Sequence, residues 1–83
     1  MSNFSKERLD QIWGKGSPIR GKNPDLHRKD VYGNEMYKHS YGKPSTKGWE
    51  VDHSKPQSKG GTDHLNNLQP MNTSANRSKG NKY

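Results

Sequence analysis

The chain has 83 residues, only 23% of them hydrophobic, and a formal net charge of +7. That length makes one domain with a small core, the lack of cysteine excludes disulfides and thiolate zinc ligation as staples, and no apolar run approaches the ~20 residues of a membrane span. The charge predicts a phosphate-bearing partner, since neutralising phosphates with Lys and Arg is the main salt-sensitive term in nucleic-acid binding; the plainer alternative is a surface that only keeps the chain soluble.

Ser5 can cap a helix running to Trp13, on which Leu9, Ile12 and Trp13 fall at i, i+3 and i+4 and share one face. A helix under three turns long is marginal alone, so in a chain this poor in apolar groups that face is expected to dock in the core. Gly14, Gly16, Pro18, Gly21 and Pro24 then interrupt regular structure, and with Lys15, Arg20, Lys22, Arg28 and Lys29 among them 14–29 reads as a loop ordered by contact or a flexible basic one. It is no nucleotide-binding loop, because no Gly-Lys-Ser/Thr follows Gly16 or Gly21 at the required spacing. Residues 30–37 read as a hairpin, with Gly33-Asn34 as a two-residue turn between Val31-Tyr32 and Met36-Tyr37. Tyr32, Tyr37 and Tyr41 either fill a small core with their hydroxyls outward or stack on bases. His39 has no partner at ligand spacing and is expected at the surface, and 42–48 is a linker.

Trp49-Glu50-Val51-Asp52-His53 alternates bulky and charged residues, the pattern of a half-buried strand with Trp49 and Val51 inward. Pro56 ends regular pairing soon after, which leaves Asp52 and His53 at a strand end where both side chains can turn toward one site. Residues 57–62 form a turn around Gly60-Gly61, and 65–69 give a second short strand. Asn72 or Thr73 can cap a helix over 74–79 that stops at Gly80. The element order is strand, loop, strand, helix.

Asp52-His53, Pro56, Ser58-Lys59-Gly60-Gly61, Asp63, Asn67-Leu68-Gln69-Pro70, and Asn76 followed by Ser78-Lys79-Gly80 stand in one order and register. This pattern resembles the HNH endonucleases, whose core is a ββα-metal fold. His53 stands at the first signature position, Asn67 at the second and Asn76 at the third, with separations of 14 and nine residues that suit the family. The preceding segment is also similar, more weakly, to small stand-alone HNH proteins of bacteria and phages. The resemblance implies a small α+β protein: a nuclease core over 47–83, preceded by a basic segment over 1–46 whose short helix and hairpin pack on it. Residues 1–46 carry nine Lys and Arg against five acids, and 47–83 six against three, so the positive charge is expected to form a surface and not an arm. The first ten residues hold no apolar signal core, and the expected location is the cytoplasm of a bacterial or phage-infected cell.

Phosphodiester hydrolysis needs an activated water, a Lewis acid on the phosphate and stabilisation of the leaving 3′ oxygen. The resemblance gives His53 the role of general base. It gives Asn67, through side chain or backbone, the task of holding the imidazole, and Asp52 and Asn76 the task of binding a metal through oxygen. Two oxygen donors with open water positions suit Mg²⁺, with Mn²⁺ able to substitute. Products with 5′-phosphate and 3′-hydroxyl ends are implied. Lys55, Lys59, Arg77 and Lys79 are candidate phosphate contacts, and the alternative for each is an ordinary solvated face; His64 lies outside the signature but could touch a phosphate.

Two departures from the family pattern bear on stability. Asn72 and Ala75 stand where many members carry a Cys pair, so no structural zinc is expected and the last helix would be held by packing alone. Ser54 follows the Asp-His pair where an apolar residue is usual. The expected partner is DNA, double-stranded, nicked by a monomer or cut through both strands by a homodimer or within a larger assembly, with no membrane involved. The alternative is a non-catalytic basic nucleic-acid-binding module, which would be expected to have lost at least one of Asp52, His53, Asn67 and Asn76.

Overall fold

The computed structural model describes residues 4–78. Helix α1 spans Lys6–Trp13 and begins as its sequence requires: the Ser5 hydroxyl oxygen accepts the Arg8 backbone N–H at 3.1 Å. Ile12 and Trp13 are buried, and Leu9 packs against them.

The Gly- and Pro-rich stretch that follows is ordered, and it carries two short strands in place of a loop throughout. Ser17–Pro18 (β1) pairs antiparallel with His27–Lys29 (β2), and β2 pairs with Glu35–Tyr37 (β3). The hairpin therefore exists, but its first strand lies upstream of Val31-Tyr32, with Arg28 opposite Met36. Asp30 is the physical reason for the shift. One of its carboxylate oxygens accepts the backbone N–H groups of both Tyr32 and Asn34 at 2.9 Å, which turns the chain over 30–34. Gly33 takes the left-handed φ of 85° that this turn requires, and Val31 and Tyr32 are left exposed at its tip. Strands of two and three residues supply few ladder bonds, and Arg28 supplements them by donating to the carbonyls of Pro24, Gly14 and Gly16.

Trp49–His53 (β4) pairs antiparallel with Leu68–Asn72 (β5), Trp49 opposite Asn72 and His53 opposite Leu68. The second strand starts three residues later than its alternation suggests, because Leu65–Asn67 forms a 3₁₀ turn first. The strand then runs through Pro70, which a two-stranded ribbon tolerates because each strand keeps one unpaired edge. Helix α2 spans Thr73–Ser78, and Asn72 caps it by accepting the Ala75 N–H at 3.1 Å. Lys79 and Gly80, expected at its end, lie outside the described residues. The molecule is a small α+β protein in which β4, β5 and α2 form the strand-strand-helix unit.

The core joins both sheets to α1. Ile12, Trp13, Met36, Trp49 and Leu68 form one buried cluster, with Phe4, Leu9, Val51 and Leu65 packed against it. The Trp13 and Trp49 rings lie 5.1 Å apart, and Tyr41 stacks on Trp49 from 4.9 Å. Each buried indole N–H finds a carbonyl, that of Pro24 for Trp13 and that of Lys38 for Trp49. Lys15 ties the end of α1 to the carbonyls of Leu65 and Leu68.

Packing is not the only hold on α2. The Asn72 amide donates to the carbonyls of Glu35 and Thr46, both at 2.8 Å, and its backbone N–H reaches the Asp30 carboxylate at 3.0 Å. Asn72 and Ala75 are thus joined to each other by the cap, and Asn72 is joined to the first sheet by hydrogen bonds. No described helix is long and apolar enough to cross a membrane.

Candidate active site

The end of β4 and the first turns of α2 enclose a cavity of about 200 Å³ lined by Val51, Asp52, His53, Gln57, Ser58 and Asn76. Three of the four residues singled out from the signature therefore meet in one place. Asp52 is 3% exposed, and its Oδ2 accepts the side-chain amide of Gln69, its cross-strand neighbour, at 2.9 Å. Asn76 approaches from α2 and donates its amide N–H to Glu50 Oε2. A carboxylate only accepts, so this contact fixes which end of the Asn76 amide is which. The oxygen Oδ1 is then a buried acceptor with no hydrogen-bond partner among the described residues.

His53 stands where regular pairing stops. Its ring is held not by Asn67 but by Asp63, whose Oδ1 lies 2.7 Å from Nε2. The imidazole is largely covered, at 13% exposure, while Asp63 is half exposed. Gln57 also donates to the same carboxylate oxygen, at 3.4 Å.

Asn67 works on the loop instead. Its Oδ1 accepts the Lys55 N–H at 2.8 Å and its amide donates to the carbonyls of Thr62 (2.7 Å) and Lys55 (3.3 Å). Its own carbonyl accepts the Ser54 N–H at 2.9 Å. These bonds clip the two ends of the segment between His53 and His64 together, and so fix where Asp63 arrives. The Gly-Gly turn closes the segment: Gly60 is left-handed at φ 88°, and a Cβ on Gly61 would stand 1.7 Å from the Lys55 carbonyl oxygen. No larger residue fits there without moving the backbone. From outside the signature, Arg8 of α1 donates to the Asp63 carbonyl.

Lys55 and Lys59 are exposed on this loop and Arg77 on α2, and among the described residues none of the three pairs with a carboxylate. Lys22, Lys38 and Lys47, in contrast, are all paired. Lys79 is outside the described residues. His64 is exposed and lies outside the cavity. Among the described residues no group of three or more His, Cys, Asp or Glu side chains converges as a zinc site would. Among the groups lining the cavity, the Asp52 carboxylate and the orphaned Asn76 amide oxygen are hard oxygen donors that fit a small divalent cation keeping most of its water.

Sequence reasoning missed Asp63 and Glu50. Asp63 was visible as the acid two residues after the Gly-Gly pair, but its contact with His53 spans ten residues across a loop. Glu50 read only as the polar face of a strand.

Comparison with known proteins bears on the same stretch. No curated protein and no solved structure matches the chain. The family model described as HNH endonuclease matches residues 39–82, just over half of the chain, a stretch that includes β4, β5 and α2. The chain belongs to the HNH endonuclease family.

Proposed function

We propose that the protein is a metal-dependent endonuclease that hydrolyses DNA phosphodiester bonds, with His53 as general base and Mg²⁺ held by Asp52 and Asn76. Family membership supports a nuclease acting on nucleic acid. One observation carries the finer reading: the cavity brings together a largely covered imidazole, a buried carboxylate and a buried amide oxygen that has no hydrogen-bond partner among the described residues. A buried, unpartnered acceptor costs about 1–3 kcal/mol, and a cation ligand would remove that cost.

A bound divalent cation supplies Lewis acidity to the scissile phosphate and the leaving 3′ oxygen. Asp52 brings the negative charge that attracts the ion, with one oxygen steadied by Gln69, and Asn76 offers the oxygen that Glu50 has oriented by holding the other end of its amide. His53 accepts the proton of the attacking water. Lys55, Lys59 and Arg77 hold the flanking phosphates, positioning the strand without reading its sequence. One site cuts one strand per event, so a single molecule nicks and a double-strand break takes two copies.

Supercoiled-plasmid cleavage with Mg²⁺, Mn²⁺ or EDTA, beside His53→Ala, tests the reading. Nicking by the wild type in either metal, none in EDTA, and a loss of about 10²- to 10⁴-fold or more in the variant are expected. A His53→Ala protein that binds DNA and nicks at the wild-type rate would sink it. Binding without cleavage by the wild type would instead favour the non-catalytic nucleic-acid-binding module.

A further inference from the structure

We infer that Asp63 is a positioning residue that fixes the tautomer of His53; the inference rests on the reading of His53 as general base. The geometry is direct. Asp63 Oδ1 lies 2.7 Å from His53 Nε2, on a ring only 13% exposed. An ionised carboxylate only accepts hydrogen bonds, so the ring nitrogen that meets it carries the proton. The second nitrogen, Nδ1, is then left with its lone pair, the form a base requires.

The carboxylate is itself anchored, which distinguishes it from a wandering surface acid. The Thr62 carbonyl, one peptide upstream, is held by Asn67 at 2.7 Å. The Asp63 carbonyl is held by Arg8 of α1, and its Oδ1 also receives the Gln57 amide at 3.4 Å. The signature Asn67 therefore reaches His53 through Asp63 and not by direct contact. Arg8 lies upstream of the stretch matched by the family model, so the first helix also bears on the site. In the hydrolytic step the water oxygen bonds to phosphorus as the bond from phosphorus to the 3′ oxygen breaks. The water proton passes to Nδ1, Nε2–H stays bonded to Asp63, and the leaving oxygen takes its proton from solvent.

Asp63→Asn is the discriminating change, because an amide can donate to a bare Nε2 and so favour the opposite tautomer without altering size. Two-bond ¹H–¹⁵N spectra of the metal-free protein, recorded where the ring is neutral, are expected to show the Nε2–H form in the wild type and a shift toward Nδ1–H in Asp63→Asn. In steady-state plasmid nicking kcat is expected to fall about 10- to 100-fold, less than for His53→Ala, with KM changed by less than about twofold. Asp63→Glu, which keeps the carboxylate, should recover part of the rate. An Nδ1–H wild type overturns the inference whatever the variants do. So does an Asp63→Asn protein with wild-type tautomer and kcat beside an inactive His53→Ala, an outcome that leaves the nuclease reading standing. An active His53→Ala removes the base assignment beneath both.

Discussion

The two sheets of this molecule are held in different ways. The first, β1 to β3, consists of strands of two and three residues, and much of its order comes from side chains catching backbone groups: Arg28 on three carbonyls, Asp30 on two N–H groups, Trp13 on Pro24. The second, β4 and β5, is a five-residue ladder whose backbone pairs with itself. That regularity leaves Asp52, His53 and the neighbouring Asn76 to face a cavity. A scaffold with a thin core leans on polar staples to order its first sheet, while in the second the ladder leaves polar side chains lining a cavity. Substitutions in the first sheet should therefore change stability more than turnover per folded molecule, and those around the cavity the reverse.

Asn72 is where that division should break, because it lies on the second sheet but binds the first. Asn72→Ala removes the cap of α2 and two buried side-chain bonds, and leaves the Glu35 and Thr46 carbonyls unsatisfied. We expect a loss of about 2–4 kcal/mol in urea unfolding; a loss under about 0.5 kcal/mol would show that the staple does not hold the halves together. Arg28→Met keeps the aliphatic stem and removes three carbonyl contacts, so it should cost about 1–3 kcal/mol while plasmid nicking per folded molecule stays at the wild-type rate. A drop in turnover at full folding would mean that the first sheet shapes the site as well as supporting it.

The smallest effect is electrostatic. Hydrogen bonds from Lys22 at 2.7 Å and Lys47 at 3.0 Å pull the Glu35 carboxyl down to about 2. His27 faces the same oxygen at 3.6 Å. Because the folded value lies below the unfolded one, the unfolded chain binds more protons in the window between them. The stabilisation is thus present above the ordinary carboxylate range and is lost as pH falls toward 2. Thermal melts from pH 5 to 2 should show a shallower decline for Glu35→Gln than for the wild type, and parallel curves would remove Glu35 from the acid response.

How much of this was legible in the sequence follows the same division. The first helix could be read because cap and apolar face are local. Asp52, His53 and Asn76 could be placed together because a strand end and a following helix bring those positions to one side of a small unit. The strands of the first sheet could not be read, since two or three residues carry no alternation and Arg28 and Asp30 act on partners that spacing does not reveal. The start of β5 was misplaced because Leu65 and Leu68 fit a strand or a turn equally, and Pro70 argues against the strand that forms. Asn72 was read as a possible cap, but its partners Asp30 and Glu35 lie 42 and 37 residues away. The resemblance implies that Asn67 holds the His53 ring, through side chain or backbone, whereas its side chain shapes the loop that carries Asp63 there.

The Trp13–Trp49 contact has an optical consequence. One indole comes from α1 and the other from β4, with centroids 5.1 Å apart and planes inclined at 51°. Transition dipoles that close and that tilted couple, so the pair is expected to add a component to the circular dichroism that the separate chromophores lack. That component exists only while the first helix is seated against the strand that ends at His53. The protein thus carries its own spectroscopic gauge of whether its two halves are joined.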